Sequence, residues 1–200
     1  MKMRIVSVLL MLVVLQGCAP GLSDTLRVDR VRNDEGATVD ATWKPLKVRV
    51  QEFKDLRTRQ AIGEINGREL SPSGDIPHSV QSAFEQQLKA SGVRLALFDS
   101  PSIDGEISEW FVSVKPNFPK STVESQASVR LTLYSPQSTV IYRASYSGTA
   151  SAEGPLISED KVEEVLALSM HEALAQALED PQLLSKLGEL SVPPTAQSTK

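Results

Sequence analysis

The sequence predicts an α+β domain with a mixed or antiparallel sheet of about five strands and two helices packed on one face. Several stretches alternate apolar and polar residues with the period of a strand, and two others carry the i, i+3, i+4 stripe of a helix. Breaks rich in glycine and proline separate them. The predicted order is strand, helix, four strands, helix, within a single domain over residues 46–188.

The five strands follow from alternating apolar residues. LKVRVQEF, from Leu46, is the first, and the short VRLALF is the second. In the third, IDGEISEWFVSV, the apolar phase slips by one residue near Glu109, which predicts a β-bulge. ESQASVRLTLYS and TVIYRASYSGTA follow, joined by a turn at 135–138, and the short connection predicts antiparallel pairing.

Both helices have recognisable ends. The first is expected to begin at Pro77, a good first-turn residue, and to stop at Gly92. The second follows Ser158, a suitable N-cap, and ends before Pro181. Residues 54–76 are predicted to form a long polar loop, and loops of that length in a compact domain are often functional.

The first 17 residues have the features of a secretory leader. Lys2 and Arg4 precede an apolar run that is too short to span a bilayer. The run ends in Leu15, Gln16 and Gly17 before the sole cysteine, Cys18, and this resembles the lipobox of bacterial lipoproteins. The resemblance implies cleavage before Cys18 and its attachment to lipid, and two or more acyl chains anchor a protein stably.

The remaining ends of the chain are polar. Residues 18–45 are expected to be a lipidated amino terminus with a flexible tether, and residues 189–200 a disordered tail. Ala19, after the cysteine, favours the outer membrane over the inner, with the domain in the periplasm. The net charge is -4 without a large basic patch, so we expect no nucleic-acid partner.

The sequence offers little chemistry. His78 and His171 stand without clustered acids or thiols, so we expect no metal, no cofactor and no enzymatic activity. Asp55 and Arg57 are either part of a partner-binding edge or a local ion pair that fixes the start of the loop. Tyr134 is expected to face away from the helices, where it serves either partner binding or cross-strand packing.

Two segments resemble the YajG family of bacterial lipoproteins. They are EFKDLRTRQAIGEING, which contains Asp55 and Arg57, and VIYRASYSGTASAEG in the fifth strand. The resemblance spans about residues 46–187 and implies an anchored periplasmic domain, with no catalytic residue to carry over.

Three functions are consistent with these features. The first is a non-enzymatic accessory or scaffold lipoprotein, held to the membrane by its lipid, that binds another envelope protein. The second is a binding module for a lipid or a cell-wall fragment lodged between sheet and helices, which would require a cavity of several hundred Å³. The third, a hydrolase, is disfavoured because the chain supplies no convincing base.

Overall fold

The computed structural model describes residues 23–31, 46–117 and 119–191. In chain order the elements are β1 (Thr25–Arg27), β2 (Lys47–Val50), β3 (Lys54–Asp55), β4 (Gly63–Ile65), β5 (Arg68–Ser73), α1 (Ile76–Ala90), β6 (Arg94–Leu95), β7 (Ser102–Lys115), β8 (Ser121–Tyr134), β9 (Val140–Gly154), α2 (Glu159–Glu179) and α3 (Pro181–Ser191). The predicted α+β class is confirmed. The described residues form more strands than the five predicted, and three helices instead of two.

The sheet is organised around β7. On one side β7 pairs antiparallel with β8, which pairs antiparallel with β9. On the other side three short strands, β2, β3 and β4, follow one another along β7, all parallel to it. β5 and β1 extend the sheet beyond β4, and β6 extends it beyond β2.

The predicted bulge in β7 is present. The pairing of β7 with β8 shifts register between Ile107 and Glu109. Ile103 and Ile107 before the shift, and Trp110 and Val112 after it, are all buried. Without the extra residue the second half of the strand would turn its apolar side chains to solvent, because side chains alternate with a period of two.

Residues 54–76 do not form the predicted long loop. They contain β3, β4 and β5, and the last two make a tight antiparallel hairpin. Asn66 and Gly67 connect these strands, with φ angles of 51° and 76°. An Asn-Gly pair readily adopts the two positive φ angles of a type I′ turn, so this dipeptide was the hairpin signal in the sequence.

The tether prediction fails for residues 23–31, which we call the docked segment. Its strand β1 pairs in parallel with β5, and Leu26, Val28 and Val31 are buried in the core. Within the segment, these apolar residues are too few to indicate a strand. The strand forms because β5, far along the chain, provides a partner for it. The rest of 18–45 lies outside the described residues, as do residues 192–200.

Both long helices cover the same face of the sheet. Phe84 of α1 packs on Phe53, and that ring lies over Gly105 on the inner face of β7. α2 crosses β8 and β9, and the backbone of α2 touches Gly148 so closely that a methyl group there would overlap it. The helix and the strand can approach so closely because Gly148 on β9 has no side chain and Ser169 and Ala173 on α2 have small ones.

The helix caps agree with the sequence analysis in one case and correct it in the other. The Ser158 side chain accepts from the backbone N–H of Lys161, as expected of the predicted N-cap of α2. α1 begins at Ile76, one residue before Pro77, with Asp75 as its cap. α3 continues to Ser191, so residues 189–191 are helical and do not belong to a disordered tail.

Among the residues described, no helix has both the length and the apolar composition needed to cross a membrane.

Candidate binding groove

The lipobox residues cannot be placed in the fold. Leu15, Gln16, Gly17 and Cys18 lie outside the described residues. Lipid attachment at Cys18 therefore stays a prediction from the sequence.

Asp55 and Arg57 form the ion pair that the sequence suggested. Nε and Nη2 of Arg57 donate to the two carboxylate oxygens of Asp55 at 2.9 and 3.0 Å. Nη1 donates to the carbonyl oxygens of Ala61 and Trp110 at 3.3 and 3.5 Å. The Arg57 side chain is only 5% exposed. Its donors are thus directed at the chain itself, and the arrangement favours the interpretation in which the pair fixes the connection from β3 to β4.

Tyr134 lies at the far end of β8. It is half-buried on the outer face of the sheet, beside Asp104. Burial raises the pKa of Asp104, and the tyrosine hydroxyl acts in the opposite direction. Along β7, Tyr134 pairs with Ser102 whereas Asp55 pairs with Ile107. At about 3.3 Å per residue these positions are about 16 Å apart, so they form no common site.

A different pair occupies the centre of the outer face. The guanidinium carbon of Arg59 lies 4.9 Å from the ring centroid of Phe111, within the range of a cation–π contact. Phe111 points outward because the bulge has brought its neighbours Trp110 and Val112 to the inner face. Ser108 and Glu109, at the bulge itself, are both exposed beside this pair.

Two depressions meet at Phe111, and we call them together the Phe111 groove. One, of about 340 Å³, is lined by Arg57, Thr58, Arg59, Ser108, Glu109 and Phe111, among others. The other, of about 470 Å³, shares Glu109 and Phe111 and extends over β8 and β9. Its further lining side chains are mostly hydroxyls, with an amide, a carboxylate and one methyl group: Ser113, Glu124, Ser125, Gln126, Thr149, Ala150 and Ser151.

The sequence contained a signal for this groove. The predicted phase slip near Glu109 placed Trp110, Val112 and Val114 on one face, which leaves Phe111 as an aromatic residue on the polar face. Arg59 carried no such signal, because its position over the ring depends on how residues 56–62 cross the edge of β7.

Three other aromatic residues of the long strands point inward. Trp110 is buried and its Nε1 donates to the carbonyl oxygen of Leu166 at 2.9 Å. Tyr142 and Tyr146 lie on the inner face of β9 and donate to Asp180. These three residues therefore stabilise the helix–sheet contact and do not extend the groove.

The described residues contain no group of three or more histidine, cysteine or acidic residues arranged to hold a metal ion. Nδ1 of His171 lies 3.0 Å from Nε2 of Gln87, an amide that is not a nucleophile. The backbone N–H of His78 donates to its helix cap, Asp75. The groove itself presents binding groups: an aromatic ring, a guanidinium, hydroxyls and two carboxylates.

A family model described as uncharacterized lipoprotein matches residues 41–187. The chain belongs to this family. The match begins before β2 and ends in α3, so it covers every strand except β1, both long helices and the Phe111 groove. A search of curated protein sequences gives no match.

Solved structures were found with similarity to this lipoprotein, and one of them supports its fold. A crystal structure of a protein from Xanthomonas campestris superposes with a TM-score of 0.51 at 10% identity, and the match covers 75% of this chain and 91% of that one. A minor lipoprotein from Acinetobacter baumannii gives a TM-score of 0.45 at 12% identity, over 72% and 92% of the two chains. At 10% identity, the Xanthomonas campestris protein and this chain share the fold alone.

Proposed function

We propose that this lipoprotein is a non-enzymatic accessory protein of the bacterial envelope that binds another envelope component through the Phe111 groove. The observation that carries the proposal is Phe111 itself. It is a partly exposed aromatic residue at the centre of an otherwise polar sheet face, with Arg59 on its ring.

The composition of the groove suits a polypeptide partner. Aromatic residues and arginine are the residue types most enriched at interface hot spots. The hydroxyls and the amide of Ser113, Gln126, Thr149 and Ser151 offer donors and acceptors for a surrounding polar rim. Glu109 would favour a basic side chain in the partner segment, whereas Glu124 already pairs with Lys115.

The proposal includes the membrane anchor. It takes Cys18 as the lipid-bearing first residue of the mature chain, and Ala19 as favouring the outer membrane with the domain in the periplasm. The match to an uncharacterized lipoprotein family supports the anchor in general terms. The closer relation to the YajG lipoproteins rests on the segments around Asp55–Arg57 and β9, and is part of the proposal.

The alternative of a lipid or cell-wall fragment held between sheet and helices has less support. At the crossing of α2 and β9 there is no room even for a methyl group on Gly148. Leu166, Met170, Ala173 and Leu174 of α2 are all fully buried there. Grooves of suitable volume open on the surface instead, and a large ligand would need the helix to move.

A photo-crosslinking residue at position 111 tests the proposal in intact cells. Leu168 on α2, which is also apolar and partly exposed, is the matched control position. We expect a crosslinked partner at 111 that is absent at 168, and its loss when Arg59 is changed to alanine. Uncrosslinked monomer alone at 111, or the same products at both positions, would contradict the proposal.

A further inference from the structure

The docked segment restricts how the domain can sit on a membrane. Ser23, its first residue, follows Cys18 by only five residues, which span at most about 17 Å when fully extended. Ser23 is held on the domain, because its backbone N–H and its hydroxyl donate to the Glu159 carboxylate at 3.2 and 3.0 Å. If Cys18 carries the lipid, this part of the domain lies next to the bilayer.

An exposed leucine lies beside that point. Leu156 is 90% exposed, in the connection between β9 and α2, and Pro155 before it is exposed as well. Glu159, which binds Ser23, is only three residues further along the chain. A single exposed leucine is ordinary on a protein surface. Leu156 differs from such a leucine because it lies beside Ser23, from which the chain continues toward Cys18.

The sheet pairing places several connections at the same end. Ser121 pairs with Gly154, so the connection from β7 to β8 lies beside the one that carries Leu156. Ile65 pairs with Val114, so the Asn66–Gly67 turn lies there too. Lys115 and Lys120 are exposed at this end, although each pairs with a glutamate. Together these connections form an end surface on which ion pairs of lysine and glutamate lie around one apolar tip.

Two other exposed apolar residues mark the opposite end of the domain. Leu97 and Phe98 are 77% and 78% exposed. They precede Ser102, where β7 begins, whereas Leu156 lies near the end of β7 at Lys115. A 14-residue strand is about 43 Å long. The five residues from Cys18 to Ser23 keep the Ser23 end of the domain close to the membrane. In an upright domain, Leu97 and Phe98 are then about one strand length away from the lipid.

We infer that the domain stands with this end on the membrane and inserts Leu156 into the lipid leaflet beside the anchor. The inference rests on the proposed attachment of lipid at Cys18. An amphipathic surface contact of this kind adds to a lipid anchor, since binding grows with the apolar area buried in the interface. It also fixes the orientation of the Phe111 groove, because β7 then stands upright on the membrane with Lys115 at the membrane end and Ser102 at the distal end.

Site-specific fluorescence tests the orientation. Leu156→Cys and, as the matched control, Leu97→Cys are made in the full chain, expressed with its leader and labelled with an environment-sensitive fluorophore. Each protein is reconstituted in phosphatidylethanolamine–phosphatidylglycerol vesicles, with and without nitroxide-labelled phospholipid. We expect blue-shifted emission and nitroxide quenching at 156, and neither effect at 97.

The parent chain, without an introduced cysteine, distinguishes failure of the lipid anchor at Cys18 from failure of Leu156 to insert into the membrane. Cys18 bound to lipid has no free thiol, so the parent should take up no label and remain with the vesicles. If the parent stays unlabelled and bound to the vesicles, but the fluorophore at position 156 emits as it does in water, the inference is overturned and the lipid anchor is not. Quenching at both positions, as in a domain lying on its side, also overturns it. Labelling of the parent at Cys18 would overturn the anchor and the inference together.

Discussion

The hydroxyl of Tyr146 donates a 2.6 Å hydrogen bond to the carboxylate of Asp180. Tyr142, on the same face of β9, donates to the same oxygen at 2.8 Å. The other carboxylate oxygen of Asp180 accepts from the backbone N–H of Gln182 at 2.8 Å. One side chain therefore connects the edge of the sheet to the junction between α2 and α3.

Asp180→Asn should destabilise the domain. Hydrogen bonds to a charged group contribute about 1.5–3 kcal/mol, and the two tyrosine hydroxyls lose a charged acceptor. We expect a loss of about 2 kcal/mol in urea unfolding. Glu179→Gln, an exposed change one residue earlier, is the control and should leave stability within about 0.5 kcal/mol of the wild type. Equal stability of both variants would show that the carboxylate charge is dispensable.

The same variant predicts a pH dependence. Burial would raise the pKa of Asp180, but the hydrogen bonds from Tyr146, Tyr142 and the backbone outweigh it and lower the pKa below 3.8. The stabilisation is therefore fully present above the unfolded-state pKa and is lost as the pH falls through the lowered folded-state pKa. The stability difference between wild type and Asp180→Asn should be constant near neutral pH and shrink below about pH 4. A difference that grows on acidification would reverse the sign and refute this origin.

Gly148→Ala should loosen the contact between α2 and the sheet. The new methyl group would overlap the carbonyl oxygen of Ser169 and the backbone nitrogen of Ala173, so the helix must shift. Overpacking of this kind costs about 1–3 kcal/mol. Gly188→Ala, in α3 with open space around it, is the control and should stabilise the helix by about 0.5–1 kcal/mol. Thermal unfolding of both variants checks the opposite signs.

Glu163→Gln should release the docked segment. The Glu163 side chain is fully buried and faces Arg27 and Arg30 at 3.4 and 3.1 Å. It also accepts from the backbone N–H of Arg27 at 2.9 Å. Removing the charge leaves two arginines without their buried partner, so we expect faster trypsin cleavage after Arg27 and Arg30. Glu164→Gln, at an exposed position, should cleave at the wild-type rate. Unchanged protection in Glu163→Gln would mean that β1 pairing alone holds the segment.

We expect substitutions of Arg57 and Arg59 to differ in their effect on stability. Arg57→Ala removes a buried guanidinium that donates to Asp55 and to two carbonyl groups, and should cost about 2–3 kcal/mol. Arg59→Ala alters an exposed side chain over Phe111 and should stay within about 0.5 kcal/mol of the wild type. Equal losses in chemical denaturation would contradict this division of roles.

The long strands were predictable because their pattern is local. The alternation in β7, β8 and β9, and even the bulge near Glu109, follows from residues within one strand. The short strands β1, β3 and β4 depend on partners far along the chain, so two or three residues could not show them. The Asn66–Gly67 turn is the exception, since that dipeptide is a hairpin signal in its own right.

The candidate site likewise contains contacts that were predictable from neighbouring residues and one that depends on the tertiary structure. Asp55 and Arg57 lie two residues apart, so their ion pair was open to prediction. The outward position of Phe111 also followed from its neighbours. Arg59 reaches Phe111 across an edge of the sheet, and such a contact requires the tertiary structure.

The parallel pairing of β2, β3 and β4 with β7 also sets an order of events in time. Arg49 pairs with Ser102, and Gly63 with Val112, so the early strands join β7 only when it is available about fifty residues later, although β2 can pair with β6 and β4 with β5 before that. Contacts of such separation form slowly. For a chain that crosses a membrane amino end first, the sheet therefore cannot assemble around β7 until that strand has followed.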